Sequence, residues 1–149
     1  MVAIPRVVMN TDMREGRCFG CGAHNAIGLK LSFRDEAGGV RTEYTPVEDF
    51  QGWPGIVHGG ILGCLLDEAV GYAARFAGVK CLTAKMTMRI SRPVRIGEAL
   101  VITARVTRRT RKLLTSEAQL ATRDGKVVAE ATATQFIITE ADGENAADA

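Results

Sequence analysis

No apolar run in this sequence approaches the ~20 residues that a membrane-spanning helix needs, so a helical membrane protein is excluded. Met1–Asn10 has no long apolar stretch of the kind a secretory signal requires. The expected compartment is therefore the cytoplasm, with Cys18, Cys21, Cys64 and Cys81 as reduced thiols. An excess of one charge is also missing. Lys and Arg number 19 against 17 Asp and Glu, and the net charge of +2 gives no global field for a nucleic-acid partner. There is no Gly-x-Ser-x-Gly elbow, no phosphate-binding P-loop and no His-Glu-x-x-His. Gly20-Cys21-Gly22 fails the dinucleotide fingerprint, because Asn25 stands where the third glycine is needed. Cys18-x-x-Cys21-x-x-His24 invites a zinc reading, but a closed structural site takes four ligands and no second pair follows. No bound metal is expected; the Cys-x-x-Cys-Gly turn is expected to pack Phe19 and its thiols against a sheet. Aromatic residues are only 5% of the chain, too few to mark out a particular apolar ligand.

What is present suits one domain. The 149 residues are 46% hydrophobic and 24% charged, enough for a sizeable core. Residues 1–16 have no clean period and read as an arm, and residues 17–139 as a single domain. Residues 140–149 hold four acids and no base and read as a disordered acidic tail. Leu29, Leu31 and Phe33 alternate with polar neighbours, the pattern of a half-buried strand. Ala37-Gly38-Gly39 turns the chain into a second strand, Val40 to Thr45, and Pro46 to Pro54 is a loop. A helix from about Gly60 to Phe76 is stopped by Gly78. Strands follow over Thr83–Ser91, Leu100 to Val106, Leu114–Arg123 and Val127–Ile138, and Asp124-Gly125 marks a hairpin. The small odd positions Val127, Ala129, Ala131 and Ala133 leave room for a helix. Strands joined by tight turns favour antiparallel pairing. The expected class is α+β: one long apolar helix wrapped by a curved antiparallel sheet of about six strands.

The stretch from Gly55 to Tyr72 carries the chemistry. A helix so apolar belongs in a core, and carboxylates inside it need a reason. Gly60, Gly63, Cys64, Asp67 and Gly71 share one helical stripe of small residues plus one acid. At the helix start, the free N–H groups of Gly59, Gly60 and Ile61 and the positive end of the helix dipole suit an oxygen that is gaining negative charge. Gly60 and Asp67 are separated by roughly 10 Å of helix rise, so one helix does not bring both to a single carbon. A second, antiparallel copy across a dimer does. Against this stand a stripe that serves only packing and an Asp67 paired with an arginine. Glu68 lies on a different stripe, with Ile61, Leu65, Tyr72 and Arg75, and is expected to pair with Arg75 or to make an interface contact. His58 is expected to cap the helix or shape the turn, with direct proton transfer in catalysis as the lesser alternative.

His58-Gly59-Gly60, six residues and then Asp67 resembles the hotdog-fold acyl-CoA thioesterases of the phenylacetic-acid-degradation (PaaI) type. The resemblance runs from about Cys18 to Ile138. It takes in Gly28-Leu29-Lys30-Leu31 before the helix and Arg92-Pro93-Val94-Arg95-Ile96-Gly97-Glu98 after it, and chains of this type often begin with a similar Cys-x-x-Cys-Gly stretch. It implies hydrolysis of an acyl-CoA to free acid and CoA. Asp67 is then the base or nucleophile, the Gly60 N–H polarises the carbonyl, and Thr83 stands where some members carry a serine that places the attacking water. Sites between two subunits are implied, hence a homodimer, with a dimer of dimers as its further assembly. No cofactor is implied, since CoA belongs to the substrate. Several members have Asn or Gln six residues before the histidine; here that position is Gly52, so either Gln51 substitutes or the loop is arranged differently.

Residues Arg89 to Lys112 carry eight basic side chains and one acid, Glu98. Arg89, Arg92 and Arg95, with Arg108, Arg109 and Arg111, are candidates for the phosphates of CoA through charge-assisted bonds; a solvated basic hairpin is the plainer alternative. A non-catalytic acyl-CoA-binding module is the alternative to an enzyme, and the presence of Asp67 counts against it.

Overall fold

The computed structural model describes Ile4 and residues 6–139; the expected acidic tail lies outside the described residues. The strands are β1 (Val7–Val8), β2 (Arg34–Glu36), β3 (Gly39–Tyr44), β4 (Cys81–Ile90), β5 (Leu100–Arg109), β6 (Leu113–Thr122) and β7 (Val127–Thr139), and the main helix is α1 (Gly59–Phe76). A 3-10 turn, Glu48–Phe50, lies within the expected loop. The sheet runs β2-β3-β5-β6-β7, with β4 on β7 and β1 paired parallel to Ile138 and Thr139. Among the described residues it therefore has seven strands rather than about six, with one parallel pair, and the arm supplies the extra strand. This is the hotdog arrangement: one main helix against a curved sheet.

The helix ends as its sequence dictates. His58 caps its start, and Gly78 lies past its end with φ +87°, where a side chain is disfavoured. Its inner face, including Leu62, Leu65, Leu66, Ala69 and Val70, is buried against the sheet. Ala129, Ala131 and Ala133 on β7 are buried and let α1 sit close, as expected. Val127 departs: it is 40% exposed while Val128 is fully buried, because the ladder slips between Leu120 and Ala121. Leu65 is completely enclosed. Leu65→Ala is expected to cost about 2–5 kcal/mol, read as a lower urea midpoint at unchanged slope.

The expected strand at Leu29–Phe33 is not a ladder strand. Leu29, Leu31 and Phe33 are buried and alternate with exposed Lys30 and Ser32, so the period was real. The backbone is spent elsewhere. Leu29 N–H donates to Phe19 O (2.8 Å), Leu31 N–H donates to Gly20 O (2.9 Å), and Lys30 is left-handed at φ +53°. Strand pairing starts only at Arg34.

Candidate active site

α1 is not buried all round. Gly60 and Asp67 on the small-residue stripe are exposed, and Gly63, Cys64 and Gly71 are half-buried. β4 runs beside the stripe. Ile90 Cδ1 lies 3.6 Å from the point where a Gly59 Cβ would stand, and Met88 lies 3.8 Å from the corresponding point at Gly63. Thr83 Oγ1 donates to Asp67 Oδ1 at 2.6 Å. Strand alternation explains that bond only through an irregularity. Met86, Met88 and Ile90 pair with Ala133, Ala131 and Ala129 on the helix side. Counting back by twos puts Thr83 on the opposite face. The register shifts between Thr83 and Lys85, however, so Ala84 is extra and Thr83 pairs with Gln135, on the helix side. The bulge thus turns Thr83 towards Asp67.

At the helix start, His58 Nδ1 accepts the Gly60 N–H (2.9 Å), and the Ile61 and Leu62 N–H groups donate to His58 O. The expected donor, Gly60, is therefore already engaged. The Gly59 N–H has no acceptor among the described residues and is the open one. His58 acts as cap and turn former, one of the roles expected for it. Gln51 Oε1 accepts the Gly55 N–H (3.1 Å), and Gln51 bridges to Val57, so the loop closes as a small hairpin and the Gln51 carbonyl is committed. A cleft of about 420 Å³ lies beside it, lined by Gly52, Trp53, Ile56, Val57, His58 and Gly59, and Trp53 is 82% exposed there. A larger polar groove of about 630 Å³ crosses the outer face of the sheet. It includes Arg89, Glu117 and Glu130 and neither Asp67 nor Gly59.

The arginines do not form one cluster. Arg89 stands on β4 across from Glu130, and Arg92 and Arg95 follow the strand. Arg108 and Arg109 lie at the far end of β5, across from Thr115 and Leu114, with Arg111 in the turn beyond. The two groups lie towards opposite ends of the sheet: along β6, Arg89 is level with Gln119 and Arg109 with Leu114, about 17 Å of strand. Arg92 also has a structural partner: its Nη2 lies 2.5 Å from Glu98 Oε1. That bond holds the Glu98 carboxyl below its ordinary range.

Two residues fall where sequence reasoning did not put them. Glu68 does not pair with Arg75, which instead stacks over the Tyr72 ring at 4.8 Å. Glu68 faces the Cys18–Cys21 turn, with Cys18 Sγ 3.7 Å from its Oε1. The thiols thus pack against the helix rather than against the sheet, and Phe19 meets Phe50 edge-on at 6.3 Å. Burial pushes the Cys21 thiol up to about 12, with the Glu68 carboxylate adding to the rise. Gln135 is fully buried; Ser116 Oγ donates to its Oε1 (2.7 Å), and its Nε2 has no partner among the described residues. Nothing in the alternation of β7 marks it out beyond a polar residue at a core position.

Residues 54–129 match the thioesterase superfamily. A protein from Ralstonia eutropha JMP134 described as a putative thioesterase, phenylacetic acid degradation-related, is 31% identical over 72% of this chain and 85% of its own, with a TM-score of 0.62. The E. coli PaaI protein of the phenylacetic acid degradation operon superposes with a TM-score of 0.68 at 22% identity, over 76% of this chain and 84% of its own. A Streptococcus mutans UA159 protein bound to acetyl CoA does so at 0.69 and 21% identity, over 75% and 91%. No curated protein matches at a significant level.

Proposed function

This chain belongs to the thioesterase superfamily and is a thioester hydrolase, and from that premise we propose that it cleaves acyl-CoA at a site shared by two copies of itself. The observation that carries the reading is the Thr83–Asp67 hydrogen bond on an exposed helix stripe. Thr83 occupies Oδ1 and fixes the carboxylate plane, which leaves Oδ2 to act. Asp67 takes a proton from water as the water attacks the thioester carbon, or attacks that carbon itself to give an acyl-aspartyl anhydride that water then hydrolyses to the free acid. The carbonyl oxygen gains charge at the helix start, where the Gly59 N–H donates. His58 holds the adjacent Gly60 N–H and so shapes the turn. Collapse of the intermediate breaks the C–S bond, and the thiolate of CoA leaves and regains a proton. The cleft beside Gly59, with Trp53 on its wall, is the proposed seat of the acyl group.

Two copies are needed for a geometric reason. Asp67 and Gly59 are eight residues apart on one helix, about 12 Å of rise. Among the described residues, β4 has β7 on one flank and no strand on the other. An open edge of that length invites pairing. Antiparallel pairing of two β4 edges sets the two α1 helices side by side and reversed. It also brings Arg108, Arg109 and Arg111 of the partner copy to the end where Arg89 and Arg95 stand, a combined patch for the phosphates of CoA. A dimer of dimers is proposed with it. The four free thiols suit a reducing cytoplasm.

The Thr83 contact makes a direct test. Thr83→Val keeps the shape and removes the donor to a charged acceptor, a bond worth about 1.5–3 kcal/mol. A fall in kcat of about tenfold to a hundredfold is expected, with Thr83→Ser close to the parent. An unchanged kcat in Thr83→Val would remove Thr83 from the mechanism.

A further inference from the structure

Away from the thioester site, the fold brings two thiols and a carboxylate to one point. The ligating atoms of Cys18, Cys21 and Glu68 all lie within 4.8 Å of one another, and each residue is half-buried. Cys18 Sγ stands 3.7 Å from Glu68 Oε1 and 3.9 Å from Oε2. A tetrahedral zinc ion, with bonds of about 2.3 Å to sulfur and about 2.1 Å to oxygen, sets S···O edges near ~3.6 Å and S···S edges near ~3.8 Å. The Cys18–Glu68 spacing matches the S···O edge around such an ion, and the Cys21 thiol lies within 4.8 Å of both.

The turn is shaped to this end. A Cβ on Gly20 would collide with the Glu68 carboxylate, and one on Gly22 would collide with the backbone of Gly16 and Cys18. The Gly22 N–H donates to Cys18 O (2.8 Å), and the two bonds from Leu29 and Leu31 pin the turn from the other side. Both thiols are thus held against the middle of α1 by backbone bonds. Among the described residues Glu68 makes no ion pair, since Arg75 is turned to Tyr72. His24 takes no part: its Nδ1 contacts Glu15 O at 3.1 Å.

We propose that Cys18, Cys21 and Glu68 bind one divalent cation of the zinc class, with the fourth position open to water. Sequence spacing alone argued against a metal because it lacked a second pair of ligands; the further ligand is an acid on the helix, fifty residues from Cys18. Two thiolates select a thiophilic ion over magnesium or calcium. On binding, the two S–H protons leave to solvent and two S–metal bonds form. The ion ties the N-terminal loop to α1. This inference is independent of the acyl-CoA reading.

The full chain, reduced and stripped with a chelator, is titrated with Zn²⁺ and separately with Co²⁺. One ion per chain is expected, together with a thiolate-to-cobalt charge-transfer absorption and a Zn²⁺-dependent rise in Tm. Cys18→Ser and Cys21→Ser should abolish the absorption. Glu68→Gln should keep part of it and weaken binding by at least about tenfold, and a Cys64→Ser/Cys81→Ser double variant should bind as the parent does. If either Cys variant fails to fold, alkylation of the parent decides: Zn²⁺ should protect Cys18 and Cys21 and leave Cys64 and Cys81 as reactive as before. No cobalt absorption at saturation, or binding lost with Cys64 and Cys81 instead, overturns the site.

Discussion

Asp67→Asn is expected to lower kcat/KM on the best acyl-CoA by on the order of 10²–10⁴-fold, the usual worth of a positioned base, with little change in KM. The amide is isosteric, keeps an oxygen that accepts from Thr83 Oγ1, and lacks a basic or nucleophilic oxygen. Folding should be untouched because Asp67 is exposed and pairs only with Thr83 among the described residues. A loss carried by kcat with KM unchanged marks an interaction made only in the transition state. The measurement is steady-state release of CoA thiol across short, long and aryl acyl-CoAs. A variant that kept the parental rate would remove Asp67 from the chemistry. Tight binding of CoA esters by the parent without turnover would support the non-catalytic alternative.

How legible was this site in the sequence? The helix was placed to within a residue because glycine starts and stops it and no long-range contact is needed to see that. The stripe was equally visible, since residues three and four apart share a face whatever surrounds them. Thr83 was different. Its orientation depends on one extra residue, Ala84, and strict alternation puts it on the wrong side of β4. A bulge is a property of two paired strands, so neither strand alone reveals it.

Glu68 missed the expected pair with Arg75 for a related reason. Its spacing to Arg75 is helical and local, whereas its actual neighbours are the thiols of a loop far upstream. The arginines diverge in the opposite sense. They crowd together in sequence between positions 89 and 112, and a long hairpin then carries them towards opposite ends of the sheet. Local periodicity therefore located the helix and its stripe, but it did not show that the Gly60 N–H is taken by His58. Which groups meet across the fold depended on register, and register is set by pairing between distant strands.

The shared site has a consequence that no single variant tests. A bulky side chain at Gly59, such as Gly59→Val, blocks the approach to its own N–H and should silence the donor half, as Asp67→Asn silences the acid half. If each site takes Asp67 from one copy and Gly59 from the other, a mixed dimer of the two variants carries one site with both lesions and one site with neither. Random assembly from equal amounts makes half of the dimers mixed, so the mixture should recover about one quarter of the parental activity, as the two-fold symmetry of the interface requires. Each variant alone should stay near zero. The mixture is made by co-expression, or by unfolding and refolding the two together, with separately folded variants combined afterwards as the control. If both halves of the site belonged to one chain, every mixed dimer would hold two damaged sites and no activity would return. The recovery therefore separates a site across the β4 edge from one contained in a single copy, and it does so without depending on which acyl group the enzyme prefers.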